Sequence, residues 1–496
     1  MTEQTISWSE WVRLDGLALC DLVRKREVAV QEITAQASAA VALVDPHLEA
    51  SLELFEDVLT DPDVDGPDAT GPFYGVPMFI KDLGSRLRGR RQEYGSLLLR
   101  GQIAEATDPL VDNFLRAGLV PIGRSTTPEF GMTFDTTTSY LDRVVVTRNP
   151  WNTDRTAGGS SGGSAALVAA GAVPVGMASD GGGSTRVPAS FCGLVGLKAS
   201  RGRVAMPLAH NEYTWRIAVE GALTRSVRDT ATILDFIHQK PVGGTFYPMG
   251  GPEKSFREAV ARPAKPLRIL VSTGSWGRQS QCDPQVATRV REVAALLEQM
   301  GHLVEEDDGA DFCEWPVLWE AYLTQWVAAR LMYVPLAAIQ GRSAEQMAAT
   351  LTPMAFRHFE AAQRIDTLDL LKAIAGNNGF TRRFAGLFEH HDVMLCPAFA
   401  TRVPSANGPH SMLREEPLDV WLDRFADGGR YTIPGNEAGL PSLSFPAGVD
   451  GDGLPIGGML YAAQGREDIV LSLAAAIEEA RPDWFGRCPP ISPGSI

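Results

Sequence analysis

The chain has 496 residues, 44% hydrophobic and 21% charged, which is ordinary for a globular protein and long enough to enclose a deep pocket. Asp and Glu number 60 against 45 Lys and Arg, and the net charge of −15 disfavours nucleic acid or anionic membrane as a partner. No apolar run approaches the roughly 18 residues of a membrane span, and residues 1–11 lack the basic and apolar regions of a secretory signal. Six cysteines without CxxC or metal-type spacing suit reduced, mostly buried thiols, so a cytoplasmic location is expected.

Apolar periodicity predicts a helix over 16–42, followed by a Pro/Gly/Asp-rich connector at 61–72. Residues 74–80 (YGVPMFI) read as a strand that ends directly at Lys81. The basic run from Arg86 to Arg91 reads as a solvated loop. Residues 109–118 look helical and 119–123 look like a strand. Ser164 to Ala172 is Ala-rich and helical, and the apolar Val173 to Ala178 predicts a buried strand running into Asp180. Beyond a Gly/Pro-rich stretch at 241–252, strands are expected at 267–271, 393–395 and 443–445. Helices are expected near 284–300, through most of 313–390, and at 467–480. Such alternation predicts an α/β sheet covered by helices. At about 150 residues per domain the length admits about three domains.

Chemistry concentrates in two Gly/Ser elements. The first, Gly158 to Ser164 (GGSSGGS), would be a flexible linker on composition alone, yet it leads straight into a helix and then a buried strand. That setting favours a rigid turn that brings backbone N–H groups close to a ligand. Its Gly158 to Gly162 portion also matches the G-x-S-x-G elbow, but a polar turn precedes it where that motif needs a strand, and none of the histidines has a recognisable context. No phosphate-loop pattern occurs. The second element places Gly181, Gly182 and Gly183 just before Ser184, an arrangement whose N–H groups can converge on an oxyanion.

Asn149 to Val204, with GVPMFIKD around Lys81, TTPEFG (126–131), NEAGLPSLSFP (436–446) and GLPIGG (453–458), resembles the amidase signature family over most of the chain. The stretch 305–430 is least recognisable. The resemblance implies a single amidase domain spanning 1–496, with a central mixed β-sheet covered by helices on both faces. Its conserved-type core would lie at about 70–240 and 430–480, and substrate choice in the helical region at about 305–430. Carried over, the family's triad falls on Lys81, Ser160 and Ser184, the serines lying 24 positions apart. Ser160 takes the place of the serine held in a cis peptide. Lys81 is then the base, Ser160 the proton relay and Ser184 the nucleophile that forms an acyl-enzyme. For that role Lys81 must be neutral, and burial below Val76, Met78 and Ile80 would lower its pKa from about 10.4.

Met132, Arg186, Trp326 and Asn436 are the candidate substrate-binding residues. For Arg186 a structural hydrogen-bonding role is the first reading and binding of a substrate carboxylate the second, and Asp180 reads as a loop brace. Gly181 replaces a larger residue usual in the family, which predicts a more open pocket wall. Trp315, Trp319, Trp326, Met332, Tyr333 and Phe356 suggest an apolar pocket, although such residues also make ordinary helix cores. Among family branches the chain looks most like hydrolases of 6-aminohexanoate oligomers and of aryl or acyl amides. Carbamates present the same carbonyl. A glutamine-dependent amidotransferase subunit would need a partner chain and a polar pocket, and a non-catalytic module would not need the triad. No cofactor or metal is implied. The expected partner is a small amide or carbamate, and a homodimer is admitted.

Overall fold

The computed structural model describes residues 6–139, 143–207, 217–238, 249–261, 265–307, 313–329 and 343–496. Eleven strands form one mixed sheet. In chain order they are β1 (Ser51–Leu54), β2 (Val76–Lys81), β3 (Leu119–Ser125), β4 (Val175–Asp180), β5 (Val195–Lys198), β6 (Val219–Thr224), β7 (Arg268–Val271), β8 (Leu303–Glu306), β9 (Val393–Pro397), β10 (Ser442–Val449) and β11 (Pro455–Tyr461). Across the sheet the order is β1-β3-β2-β4-β6-β5-β10-β11-β9-β7-β8. Strands β3, β2 and β4 run parallel, as do β9, β7 and β8, while β6, β5, β10 and β11 are antiparallel to their neighbours. The sheet covered by helices is the expected architecture.

Burial explains which strands the sequence announces. Strands β2 and β3 are buried at every position, so they appear as continuous apolar runs. The edge strand β8 (LVEE) is mostly exposed, and Glu305 and Glu306 on it discourage pairing with another chain. One apolar body packs Val41, Val44 and Leu48 against Val76, Met78 and Val175 of the sheet. A second gathers Trp315, Tyr322, Trp326, Phe380, Phe384, Trp421 and Phe425 from the helical region between β8 and β10.

The helix expected over 16–42 is two helices, Gly16–Arg24 and Val30–Leu48. They part at Arg26, whose φ of 60° no α-helix tolerates. Each has its own start: Asp15 accepts from the Ala18 N–H, and Glu32 accepts from the Ala29 N–H at 2.7 Å. The arginine run is tied to acids, Arg86 to Asp108 at 2.8 Å and Arg90 to Asp57 and Asp65 at 2.7 and 2.8 Å. No helix among the described residues is long and apolar enough to cross a membrane.

Candidate active site

In open sheets the carboxyl ends of parallel strands are where ligands bind, because the backbone there turns out of the ladder. Here β2 ends at Lys81, its parallel neighbour β3 at Ser125, and β4 at Asp180. Helix Gly162–Ala169, buried at every residue, starts in the same corner and is anchored by a 2.8 Å bond between the Ser125 and Ser164 hydroxyls. Its small residues allow this depth: a Cβ on Gly163 would meet the Thr126 N at 2.5 Å. The turn before the helix carries Ser160, joined to Gly159 by a cis peptide bond. Thr127 donates to the Ser160 carbonyl at 3.0 Å and fixes that turn.

Lys81 is fully buried, and its Nζ lies 2.7 Å from Ser160 Oγ, 2.9 Å from Ser161 Oγ and 2.9 Å from Ser179 Oγ. Three hydroxyls around one nitrogen can accept from the three N–H groups of the ammonium, or from two of the neutral amine while the third hydroxyl donates to it. Burial drives the pKa of Lys81 down, Glu220 and Asp180 oppose that, and the balance falls at about 7. Ser161 and Ser179 went unnoticed in the sequence. Ser179 is the one hydroxyl in β4 (VGMASD), a polar residue in an otherwise buried strand, and that is the signal that could have found it.

The two Gly/Ser elements meet where the Ser161 N–H donates to the Ser184 carbonyl at 3.2 Å. Between β4 and helix Arg186–Cys192, the turn carrying Gly181 to Ser184 is tied to Asp180. The Asp180 carboxylate accepts from the N–H groups of Gly183 at 2.7 Å, Thr185 at 3.2 Å and Arg186 at 3.3 Å. Gly183 holds φ +137°, a conformation open to glycine alone. Because its N–H is spent on Asp180, Gly183 is corrected as an oxyanion-hole candidate, which leaves Gly181 and Gly182 as the candidates. Their N–H groups, with that of Ser184, make no hydrogen bond to any other described residue.

Arg186 and Asn436 also need correction as substrate ligands. Arg186 is fully buried, with Nε and Nη2 on Asp180 at 2.9 and 2.8 Å, Nη2 also on Asn436 Oδ1 at 2.6 Å, and Nη1 on the Thr432 carbonyl at 2.8 Å and Tyr461 Oη at 3.3 Å. All five donors are used, so none remains for a substrate carboxylate. Asn436 Nδ2 donates to Asp180 and to the Ile217 carbonyl at 2.9–3.0 Å. Although burial pushes the Asp180 pKa up, Arg186 outweighs it and holds the carboxyl well below the usual range. These residues brace the turn from behind.

The wall over the turn is aromatic. Helix Trp315–Ala328 carries Trp315, Trp319, Tyr322 and Trp326 at steps of three and four, one face of a helix, with ring centroids 5.8, 5.9 and 5.6 Å apart in turn. Phe425 continues the stack 6.2 Å beyond Trp326. A Cβ on Gly181 would lie 3.1 Å from the Trp326 ring, and the ring is only 9% exposed. The open wall expected at Gly181 is therefore filled by Trp326. Tyr322, overlooked in the sequence, was discoverable from its helical register between Trp319 and Trp326. Met132 is fully buried, next to Gly131, whose own Cβ would lie 3.1 Å from Ser160 Oγ. Phe356 packs with Phe359 in the apolar body, while Met332 and Tyr333 lie outside the described residues. Five cysteines are buried and Cys488 is exposed.

Comparisons with known proteins identify the family. The Amidase family model matches residues 32–471. The chain is 35% identical to AmiC of Mycobacterium tuberculosis over 477 residues, 95% of each chain. It is 32% identical to the 6-aminohexanoate-cyclic-dimer hydrolase of Paenarthrobacter ureafaciens over 491 residues, 96% of each. A solved structure of 6-aminohexanoate cyclic dimer hydrolase complexed with substrate superposes with a TM-score of 0.87 and 27% identity, covering 97% of this chain and 99% of that one. The chain belongs to the Amidase family. It is a hydrolase of amide C–N bonds.

Proposed function

We propose that the enzyme works through a Ser184 acyl-enzyme, with Ser160 relaying protons to Lys81. The observation that carries this reading is the fully buried Lys81 Nζ 2.7 Å from Ser160 Oγ, where burial pulls the amine's pKa down to about 7. Neutral Lys81 takes the Ser160 proton as Ser160 takes that of Ser184, and the freed Ser184 oxygen adds to the substrate carbonyl. Charge on the carbonyl oxygen meets the N–H groups of Gly181 and Gly182, each such donor being worth roughly 2.7–4 kcal/mol in the transition state. The relay then runs backwards and protonates the departing amine, which as an anion would be a very poor leaving group. Water enters by the same route and releases the acid. Amides with apolar or aryl groups beside the carbonyl are the expected substrates, since the wall over Gly181 and Gly182 is made by Trp326 and Tyr322. A relative that acts on a cyclic dimer of 6-aminohexanoate supports cyclic and linear aliphatic amides as well.

The test is a fluorophosphonate probe on wild type and Ser184→Ala, followed by a hydrolysis panel of anilides, aliphatic amides, cyclic oligoamides, aryl carbamates and glutamine. Labelling lost in folded Ser184→Ala protein, with anilides or cyclic amides turned over faster than glutamine, is the expected result. Unchanged labelling removes Ser184 as nucleophile, and a preference for glutamine removes the apolar substrate class.

A further inference from the structure

A second carboxyl lies beside the base and takes no part in the chemistry described so far. Glu220, on β6, is directly opposite Ser179 of β4. Residues opposed across antiparallel strands point to the same face with Cβ atoms about 4.5–5.5 Å apart, so Glu220 stands beside the hydroxyl that binds Lys81 Nζ at 2.9 Å. The turn that follows Lys81 closes over the carboxyl. Ser85 donates to Glu220 Oε2, and Gly84, at φ +101°, is so close to Oε1 that a Cβ there would collide with it. Gln92 Nε2 bridges the carbonyls of Ser85 at 3.1 Å and Lys81 at 3.4 Å, which ties that turn to the lysine backbone. Only 4% of Glu220 is exposed, so water does little to screen it from the amine.

We infer that Glu220 is a positioning residue whose carboxyl, held by Ser85 and Gly84 beside Ser179, sets the pH at which Lys81 becomes a base. The inference rests on the reading of Lys81 as that base. The charges facing the pair are few. Lys81 feels Glu220 and Asp180, and Asp180 is already neutralised by Arg186 at 2.8 Å. Glu220 feels Lys81 and Asp108, the latter paired with Arg86 at 2.8 Å. Burial raises the Glu220 pKa to about 8, with Ser85 and Lys81 opposing and Asp108 assisting. The carboxyl and the amine therefore titrate as one coupled pair, in which the ion pair and the neutral pair hold the same number of protons and compete, so whatever favours the carboxylate withdraws the free base. In its ionised form Glu220 stabilises the ammonium, which is the inactive form of the base. Gly84 keeps the contact short.

The experiment is the pH dependence of kcat/KM on one anilide for wild type, Glu220→Gln and Lys81→Met, with thermal melts to establish folding. Glu220→Gln keeps the shape and removes the charge, so its acid limb should move down by about one pH unit, as for loss of a nearby opposite charge. A folded Glu220→Gln enzyme whose limb coincides with wild type overturns the inference, even if its overall rate falls. Full activity in Lys81→Met overturns the underlying reading instead, so the two failures are distinct. Should Glu220→Gln not fold, Ser85→Ala carries the same test. It withdraws the donor that favours the carboxylate and should move the limb in the same direction, and an unmoved limb again overturns the inference.

Discussion

Tyr322 stands over Gly182 so closely that a Cβ built on this glycine would collide with the phenol oxygen. Thr432 holds the same glycine from another side, its hydroxyl donating to the Gly182 carbonyl at 2.6 Å. The turn that offers N–H groups to an oxyanion is therefore packed between a helix of the variable region and the core of the fold. Gly182→Ala should reduce kcat/KM at least tenfold on anilide substrates, because either the turn or Tyr322 must shift. Overpacking of this kind costs about 1–3 kcal/mol, so the protein should remain folded in a denaturant titration. Wild-type kcat/KM in that variant would show that the turn is not in the reaction.

Replacing Trp326 should separate binding from chemistry. Trp326→Ala removes a nearly buried ring that stacks between Tyr322 and Phe425, and a loss of about 3–5 kcal/mol is expected in chemical denaturation. Kinetic assays should give a raised KM for anilides and cyclic amides and a much smaller change for acetamide. Equal losses on all three would place Trp326 in the scaffold alone.

Asp180 gives the fold an acid-sensitive tie. Its folded pKa lies below the unfolded value of about 3.9, so its contribution to stability is present above that value and is lost as pH falls. Asp180→Asn leaves the fully buried Arg186 without its counter-charge, a change worth about 3–5 kcal/mol when one partner of a buried pair is removed. The variant should melt well below wild type at pH 7, and the difference should narrow towards pH 3. A gap that stays constant over that range would contradict the assignment.

These sites divide by how far the chain itself declares them. The strand ending at Lys81 was legible because β2 is buried on both faces, and the turn at Gly181 to Ser184 because one helix and one buried strand join it to the first Gly/Ser element. By contrast β6 (VEGALT) and β11 (PIGGMLY) carry glycines that look like turn signals. In β11 they serve packing: a Cβ at Gly457 would press on Ser190 Oγ at 2.5 Å, and one at Gly458 on the Phe445 ring at 2.7 Å. Local pattern cannot reveal such contacts, the first of which joins residues 267 positions apart. The same limit hid Glu220, since its partner Ser179 is defined only by strand register. For Arg186 the structural reading holds and the substrate reading falls, since its five donors turn inward to Asp180, Asn436, Thr432 and Tyr461. The break at Arg26 was masked because both flanking helices bury residues in one apolar body, which preserves the periodicity across it.

The proton relay is tested most directly by the rate of acylation of Ser184 as a function of pH, in wild type and in Lys81→Met. Lys81 becomes a base only after losing its proton, and its pKa lies at about 7. Acylation should therefore rise through one ionisation near that pH, level off above it, and fall by at least about a hundredfold in the folded Lys81→Met protein, the low end of positioned general-base catalysis. A profile flat from about pH 6 to pH 9, or a Lys81→Met enzyme that acylates at the wild-type rate, would contradict it.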